Sequence, residues 1–304
     1  MKQIVSFLPS ATELIYELGL QKSLVGVTHE CNFPDDARNK PRVITTVIDS
    51  ENLTSSEINQ RTCELFSQGK DIFLLNETNL KIAEPDLIIS QETCEVCAAY
   101  NNQVNKAIQI LDKKPEIYSM NPHSLDEILM TVTELGRILE KEKKSNKIKE
   151  KLEKRISDIG NVPHKQKHKV LAIEWLDPFF TAGHWIPEMI EIAGGINLIS
   201  KKKDQSRRLE FEEIVKSEPD IIILMPCGFD VKKTRKEYSD ILKNNHEWNQ
   251  LKAVKNNQIF AVDANSFFSK PSIRTITGLE ILAKIIHPNE FSHLRVPKEA
   301  FSKI

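Results

Sequence analysis

Glycine is scarce in this sequence, 10 of 304 residues, and none of it falls in a phosphate-binding Walker loop, a dinucleotide fingerprint or a Gly-x-Ser-x-Gly elbow. The usual signatures of nucleotide enzymes and serine hydrolases are therefore missing. Net charge is nearly absent too: 42 Lys and Arg against 43 Asp and Glu leave −1, so no global field holds DNA, RNA or an anionic membrane. No apolar stretch approaches the ~20 residues of a spanning helix, which excludes membrane insertion by that route. Cysteines number five, an odd count in a long chain, with no disulfide framework. What is present is 40% hydrophobic and 28% charged residues, enough for a packed core under a solvated surface.

The first 120 residues alternate β-branched runs with helical patterns. Strands are predicted at Ile4–Leu8, Leu24–Thr28, Asp71–Leu75, Leu87–Ser90 and Glu116–Ser119, with helices at Ala11–Leu18, Ser55–Gln68 and Asn101–Leu111. Ser10-Ala-Thr-Glu13 has the form of a capping box for the first helix. Alternation of this kind implies parallel strands with crossover helices. Ser124-Leu-Asp-Glu127 is a second capping-box form, and apolar residues at spacings of three and four follow it as far as Ile159. One helix from Leu125 to Ile159 would span about 50 Å. Its charged stretch Glu140–Lys151 reads as a solvated face. The alternation then resumes from Lys169 to Ile286. Glu84-Pro-Asp-Leu-Ile-Ile in the first half answers Glu218-Pro-Asp-Ile-Ile-Ile in the second, which supports internal duplication. The boundaries predicted are an α/β lobe over 1–122, the connecting helix over 123–162 and an α/β lobe over 163–304.

Open parallel sheets bind ligands beyond the carboxyl ends of their strands. Those positions hold Pro9 and Ser10, then Thr28-His29-Glu30-Cys31, Gln91 followed by Cys94 and Cys97, Trp175, Gly183-His184-Trp185, and Cys227. Each has a plain structural reading: Cys94-x-x-Cys97 as two small core residues, His29 as a hydrogen-bonded loop residue, Cys227 as part of a turn. Cys63 lies inside a helix pattern and is expected in the core. Taken together, the soft and borderline donors His29, Cys31, Cys94, Cys97, His184 and Cys227 suit a metal such as zinc or iron, or a metal-bearing ligand. The opposing reading is a cleft merely lined with small residues.

The N-terminal Ile4–Leu8 run is too short for a signal segment and passes into a helix, so it is read as a core strand and the chain as cytoplasmic, with an extracytoplasmic location as the alternative.

Several segments resemble one known family, the helical-backbone binding proteins of ABC importers for cobalamin and iron–siderophores. They are Ile4-Val-Ser-Phe-Leu-Pro-Ser-Ala-Thr-Glu13, Pro85-Asp-Leu-Ile-Ile, the connecting helix, Ala193-Gly-Gly-Ile-Asn197, Pro219-Asp-Ile-Ile-Ile, Trp248-x-x-Leu-x-Ala-Val-Lys-Asn-Asn-Gln-Ile-Phe260 and His287-Pro288. The match runs in order over residues 3–288. The resemblance implies two doubly wound parallel-sheet lobes joined by one long α-helix, the class III periplasmic-binding-protein-like fold. It implies a monomeric, non-enzymatic protein holding a cobalamin-like corrinoid or other metal chelate between the lobes, lined by the strand-end residues named above. The alternative is a cytosolic metal- or redox-responsive protein that binds a metal directly through its Cys and His. Family members dock on an ABC permease through one acidic residue per lobe. Glu212 holds that position in the second lobe, whereas the first has Thr78 there and Glu77 beside it.

Overall fold

The computed structural model describes residues 2–91, 99–164 and 166–304. It divides into two compact units, each an α/β sandwich. One holds the chain up to Leu53, Gln60–Pro122 and Met130–Lys149; the other holds Thr54–Asn59, His123–Leu129 and Glu150–Ile304.

In chain order the first half forms β1 (Ile4–Ser6), α1 (Pro9–Glu17), β2 (Leu24–Thr28), β3 (Arg42–Thr46), α2 (Ser55–Ser67), β4 (Phe73–Leu75), α3 (Glu77–Ala83), β5 (Leu87–Gln91), α4 (Ala99–Ile110) and β6 (Glu116–Met120). The sheet order is β4-β3-β2-β1-β5-β6, parallel except for β4 at one edge. Ile4, Val5 and Leu87–Ile89 are buried at 0–1% exposure, as strands covered on both faces require. The chain leaves β1 on one side for β2 and returns on the other as β5, so a topological switch point lies at the carboxyl ends of β1 and β5.

The connection is helical, but in two pieces: α5 (Leu125–Ile138) and α6 (Glu142–Gly160). The single helix expected over Leu125–Ile159 breaks at Glu140, whose φ of 55° is left-handed, while the Lys141 N–H closes on the Gly136 carbonyl at 2.6 Å. Gly136 permits the turn: a Cβ there would stand 1.9 Å from Ser145 Oγ, and Ser145 is fully buried. The 19 residues of α6 belong to the first unit up to Lys149 and to the second from Glu150, so a long helix does join the two lobes. Its length is about 28 Å, not 50 Å.

The second half forms β7 (Lys169–Leu176), β8 (Phe179–Thr181), α7 (Ile186–Ile192), β9 (Ile196–Asn197), β10 (Arg207–Arg208), α8 (Phe211–Ser217), β11 (Ile221–Leu224), α9 (Val231–Ile241), α10 (Lys252–Lys255), β12 (Ile259–Val262), α11 (Ala264–Phe267), α12 (Thr275–Ile286) and β13 (Phe301–Lys303). Its sheet runs β10-β8-β7-β11-β12-β13, with β9 paired to β7. The centre, β7-β11-β12, is parallel; β8, β10 and β13 are antiparallel additions.

The duplicated segment does the same work in each unit. Glu84 and Glu218 both end a seven-residue helix in the left-handed conformation, at φ 39° and 46°. Asp86 then accepts the Gln3 N–H at 2.9 Å and returns its own N–H to the Gln3 carbonyl at 2.8 Å. Asp220 repeats this with Lys169, at 2.9 Å and 2.8 Å.

The α5–α6 turn is open to test. Gly136→Ala is expected to destabilise the protein by about 1–3 kcal/mol in urea unfolding, through overpacking against Ser145. Adding Ser145→Gly recovers part of that loss. A neutral Gly136→Ala would contradict the tight approach.

Candidate functional site

The strand-end residues of the first unit are rigidly held. The helix α1 begins at Pro9, two residues before the sequence pattern placed it, with Leu8 as an N-cap that offers no side-chain bond. Ser10 therefore sits inside the first turn instead of capping it, and its buried hydroxyl has no hydrogen-bond partner among the described residues. Beyond β2, Thr28 Oγ1 accepts the Glu30 N–H at 3.2 Å, and the His29 N–H donates to the Ile44 carbonyl at 2.9 Å. The Arg42 guanidinium pins this turn by donating to the carbonyls of Thr28 and Cys31 at 2.6 and 3.0 Å. Cys31 is fully buried, and its sulfur accepts a hydrogen bond from Thr12 at 3.1 Å. That thiol supports the turn from inside. His29 is half-buried, with its ring 5.8 Å from Phe73. Gln91 is the last residue of β5, while Cys94 and Cys97 lie outside the described residues. Cys63 is exposed on α2, not in the core, because that helix buries only Ser55.

In the second unit the structure separates residues that the sequence reading placed together. Trp175 stands near the carboxyl end of β7 with its ring 5.5 Å from Phe229, and the exposed Cys227 returns its N–H to the Glu174 carbonyl at 3.1 Å. Gly183-His184-Trp185 does not continue from that end. The chain turns back as β8, antiparallel to β7, so that Trp175 faces Phe180 and Ile173 faces Thr181. The Ala182 N–H reaches the Ala172 carbonyl, and the hairpin carries His184 away from Trp175. Gly183 is required there: a Cβ would lie 2.5 Å from the Asp204 carbonyl oxygen. His184 follows in the left-handed region at φ 55°, anchored by its N–H to Asp204 O at 2.6 Å. Trp185 is buried, and its indole N–H donates to the Phe268 carbonyl at 3.0 Å. It backs the histidine and offers no open stacking face.

The partner of His184 is a residue the sequence reading missed. His123 Nδ1 lies 3.0 Å from His184 Nδ1, with ring centroids 5.2 Å apart. Its position is fixed by the second capping box. Ser124 Oγ accepts the Glu127 N–H at 3.4 Å, and the Glu127 carboxylate accepts the His123 N–H at 2.6 Å and the Lys203 ammonium at 2.6 Å. Burial tends to raise the Glu127 carboxyl, but Lys203 and the His123 amide outweigh it and hold it below the usual range. The available signal was a second histidine directly before the Ser-x-x-Glu cap.

Burial first, and then repulsion by a charged His123, lower His184 from 6.5 to about 4. At neutral pH His184 is uncharged. The two Nδ1 atoms at 3.0 Å share one proton; with His184 as its donor, the lone pair of His184 lies on Nε2. Imidazoles oriented through their second nitrogen are the usual form of metal-donating histidine.

The family described as periplasmic binding protein matches residues 4–266. An uncharacterized ABC transporter substrate-binding lipoprotein of Bacillus subtilis, YvrC, is 24% identical over 95% of this chain and 81% of its own length. The vitamin B12-binding protein of Vibrio cholerae serotype O1 is 22% identical over 92% of this chain and 87% of its own length. Staphylococcus aureus IsdE, solved in complex with heme, superposes with a TM-score of 0.70 at 20% identity, covering 94% of this chain and 99% of that one. The cytoplasmic location expected from the N-terminal strand is thereby corrected: the matching family is one of periplasmic binding proteins, and the B. subtilis relative is named a lipoprotein. With two α/β lobes, a long connecting helix and this match over most of its length, the chain belongs to the periplasmic binding protein family, a family of non-catalytic binding proteins, and has its class III fold.

Proposed function

We propose that this chain binds a metal-centred ligand and that one of its own imidazoles donates directly to the metal. The observation that carries the proposal is His184 itself: its Nδ1 is held 3.0 Å from His123 Nδ1, and burial lowers it to about 4, so at neutral pH it can offer a nitrogen lone pair without first losing a proton. The names of the relatives support the ligand class. The V. cholerae protein is named for vitamin B12 and IsdE was solved with heme, and both ligands are metal-centred macrocycles. A corrinoid or heme-type chelate is the class common to both. Pro9, Ser10, Thr28, His29, Glu30 and Gln91 at strand ends of the first unit, and Trp175 and Cys227 at strand ends of the second, are proposed as ligand contacts within their own units and not as neighbours of His184.

A second reading has the same pair in its favour. The two imidazoles would bind a bare zinc or iron ion directly. Among the described residues no group of three or more His, Cys, Asp or Glu side chains stands close enough to hold an ion, so this reading needs either the ligand's own donors or Cys94 and Cys97.

Titration with hydroxocobalamin, hemin and zinc, followed by absorbance or calorimetry, separates the readings. His184→Ala is expected to weaken binding of the preferred ligand about 10–100-fold, and His123→Ala by a smaller factor, since it frees the orientation of His184 without removing it. Unchanged affinity of His184→Ala for all three probes would remove the imidazole from the site.

The proposal extends to an ABC permease as partner. Glu77 and Glu212 are exposed on the first turns of α3 and α8, equivalent helices of the two units. Glu77→Lys with Glu212→Lys is expected to lower uptake through a reconstituted importer while ligand affinity stays at the wild-type value. Full uptake by the double variant would exclude these two carboxylates as the docking points.

A further inference from the structure

The segment leading from α6 into β7 carries an imidazole that ligand binding does not use. Both ring nitrogens of His164 are buried, and neither has a hydrogen-bond partner among the described residues. Its ring stacks on that of His287 with centroids 3.9 Å apart and planes at 13°, and Phe291 stands 5.7 Å away. The ring also rests on Gly194, where a Cβ would lie 2.3 Å from His164 Cδ2 and the backbone holds φ 85°. His287 Nε2 faces the Gly194 carbonyl at 3.2 Å; a carbonyl only accepts, so this nitrogen carries the proton. His164 therefore clamps the entry to β7 against the α7–β9 turn and the end of α12.

An imidazole that loses solvent and gains no acceptor is accommodated in its neutral form. The groups facing it do not change this. Lys167 on its own segment and His287 on the opposite element oppose a positive charge, Glu290 beyond α12 favours one, and His168 lies 5.7 Å from His287. We infer that His164 is a proton-operated latch: neutral, it pins residues 161–164 to Gly194, His287 and Phe291; protonated, it lets that segment go. This stands apart from the proposed ligand site and would hold whatever the ligand is.

The sign follows from linkage. Burial first, then His287, lowers His164 from its ordinary 6.5. The latch is complete above pH 6.5 and is lost as pH falls through the lowered native value.

The test compares the wild type with His164→Phe, which keeps the stack and cannot titrate, by thermal unfolding and amide exchange at about pH 7.5 and about pH 5. The fall in Tm on acidification should be larger in the wild type by about 2 °C or more. Exchange over residues 161–164 should quicken at low pH in the wild type alone. His184 titrates in both proteins and cancels in the comparison. Imidazole NMR titration of the wild type, which needs no variant to fold, should place His164 below 6.5. Parallel Tm profiles in the two proteins, or a His164 titrating at or above 6.5, would overturn the inference.

Discussion

Each sheet depends on one carboxylate that ties two neighbouring strands together at their amino ends. Asp86 holds the residue before β1, and Asp220 holds the first residue of β7, each through a reciprocal pair of hydrogen bonds. These pairs fix the register Ile4↔Leu87 in one sheet and Val170↔Ile221 in the other. A slip of one residue would turn every buried side chain of a strand to the wrong face. With the amino ends set, the carboxyl ends are set as well, and Pro9, Gln91, Trp175 and Cys227 take their places from that register. The preceding proline stiffens the entry, and Glu84 and Glu218 stop the helices in time for it.

Because the same four-part device occurs twice, it could be read from sequence: Glu-Pro-Asp before an all-apolar strand carries its own physical cause. The Ser124–Glu127 cap was legible for a similar reason. Less legible were features that depend on what lies opposite. The apolar spacing of α5 continues into α6, since each helix buries its own face, so periodicity alone runs through the turn at Glu140. Only the pairing of Gly136 with Ser145 distinguishes a turn from a continuous helix. The strands β8, β10 and β13 are two or three residues long and have no room for an alternating pattern. Missing the β7–β8 hairpin is what made His184 look like a neighbour of Trp175. Cys63 was assigned to the core on helix periodicity, but α2 buries only its first residue.

The reading of location erred differently. Ile4–Ser6 is indeed a buried central strand, so the packing inference stands. A strand near the start of a chain describes how that stretch packs and carries no information about the compartment. Family membership does carry such information, and it points the other way. Two inferences drawn from the same ten residues thus had different warrants, and only the packing one rested on physical chemistry.

The second unit contains two histidine pairs, and their difference shows how environment divides one residue type between two tasks. In His123–His184 the rings meet edge to edge through nitrogen, so a shared proton satisfies one nitrogen of each while the rings stay half-buried. The proposed donor is the remaining nitrogen of His184. In His164–His287 the rings meet face to face, so stacking supplies the attraction, and among the described residues no hydrogen bond satisfies His164. Burial disfavours the charged state of His184 in the first pair and of His164 in the second. In the first that keeps a lone pair available to a metal; in the second, with no donor role to serve, it makes the seat of the linker depend on a proton. What separates the two is the backbone that orients each ring: the cap ahead of α5 aims His123 at a partner nitrogen, and the bare Cα of Gly194 lets His164 lie flat.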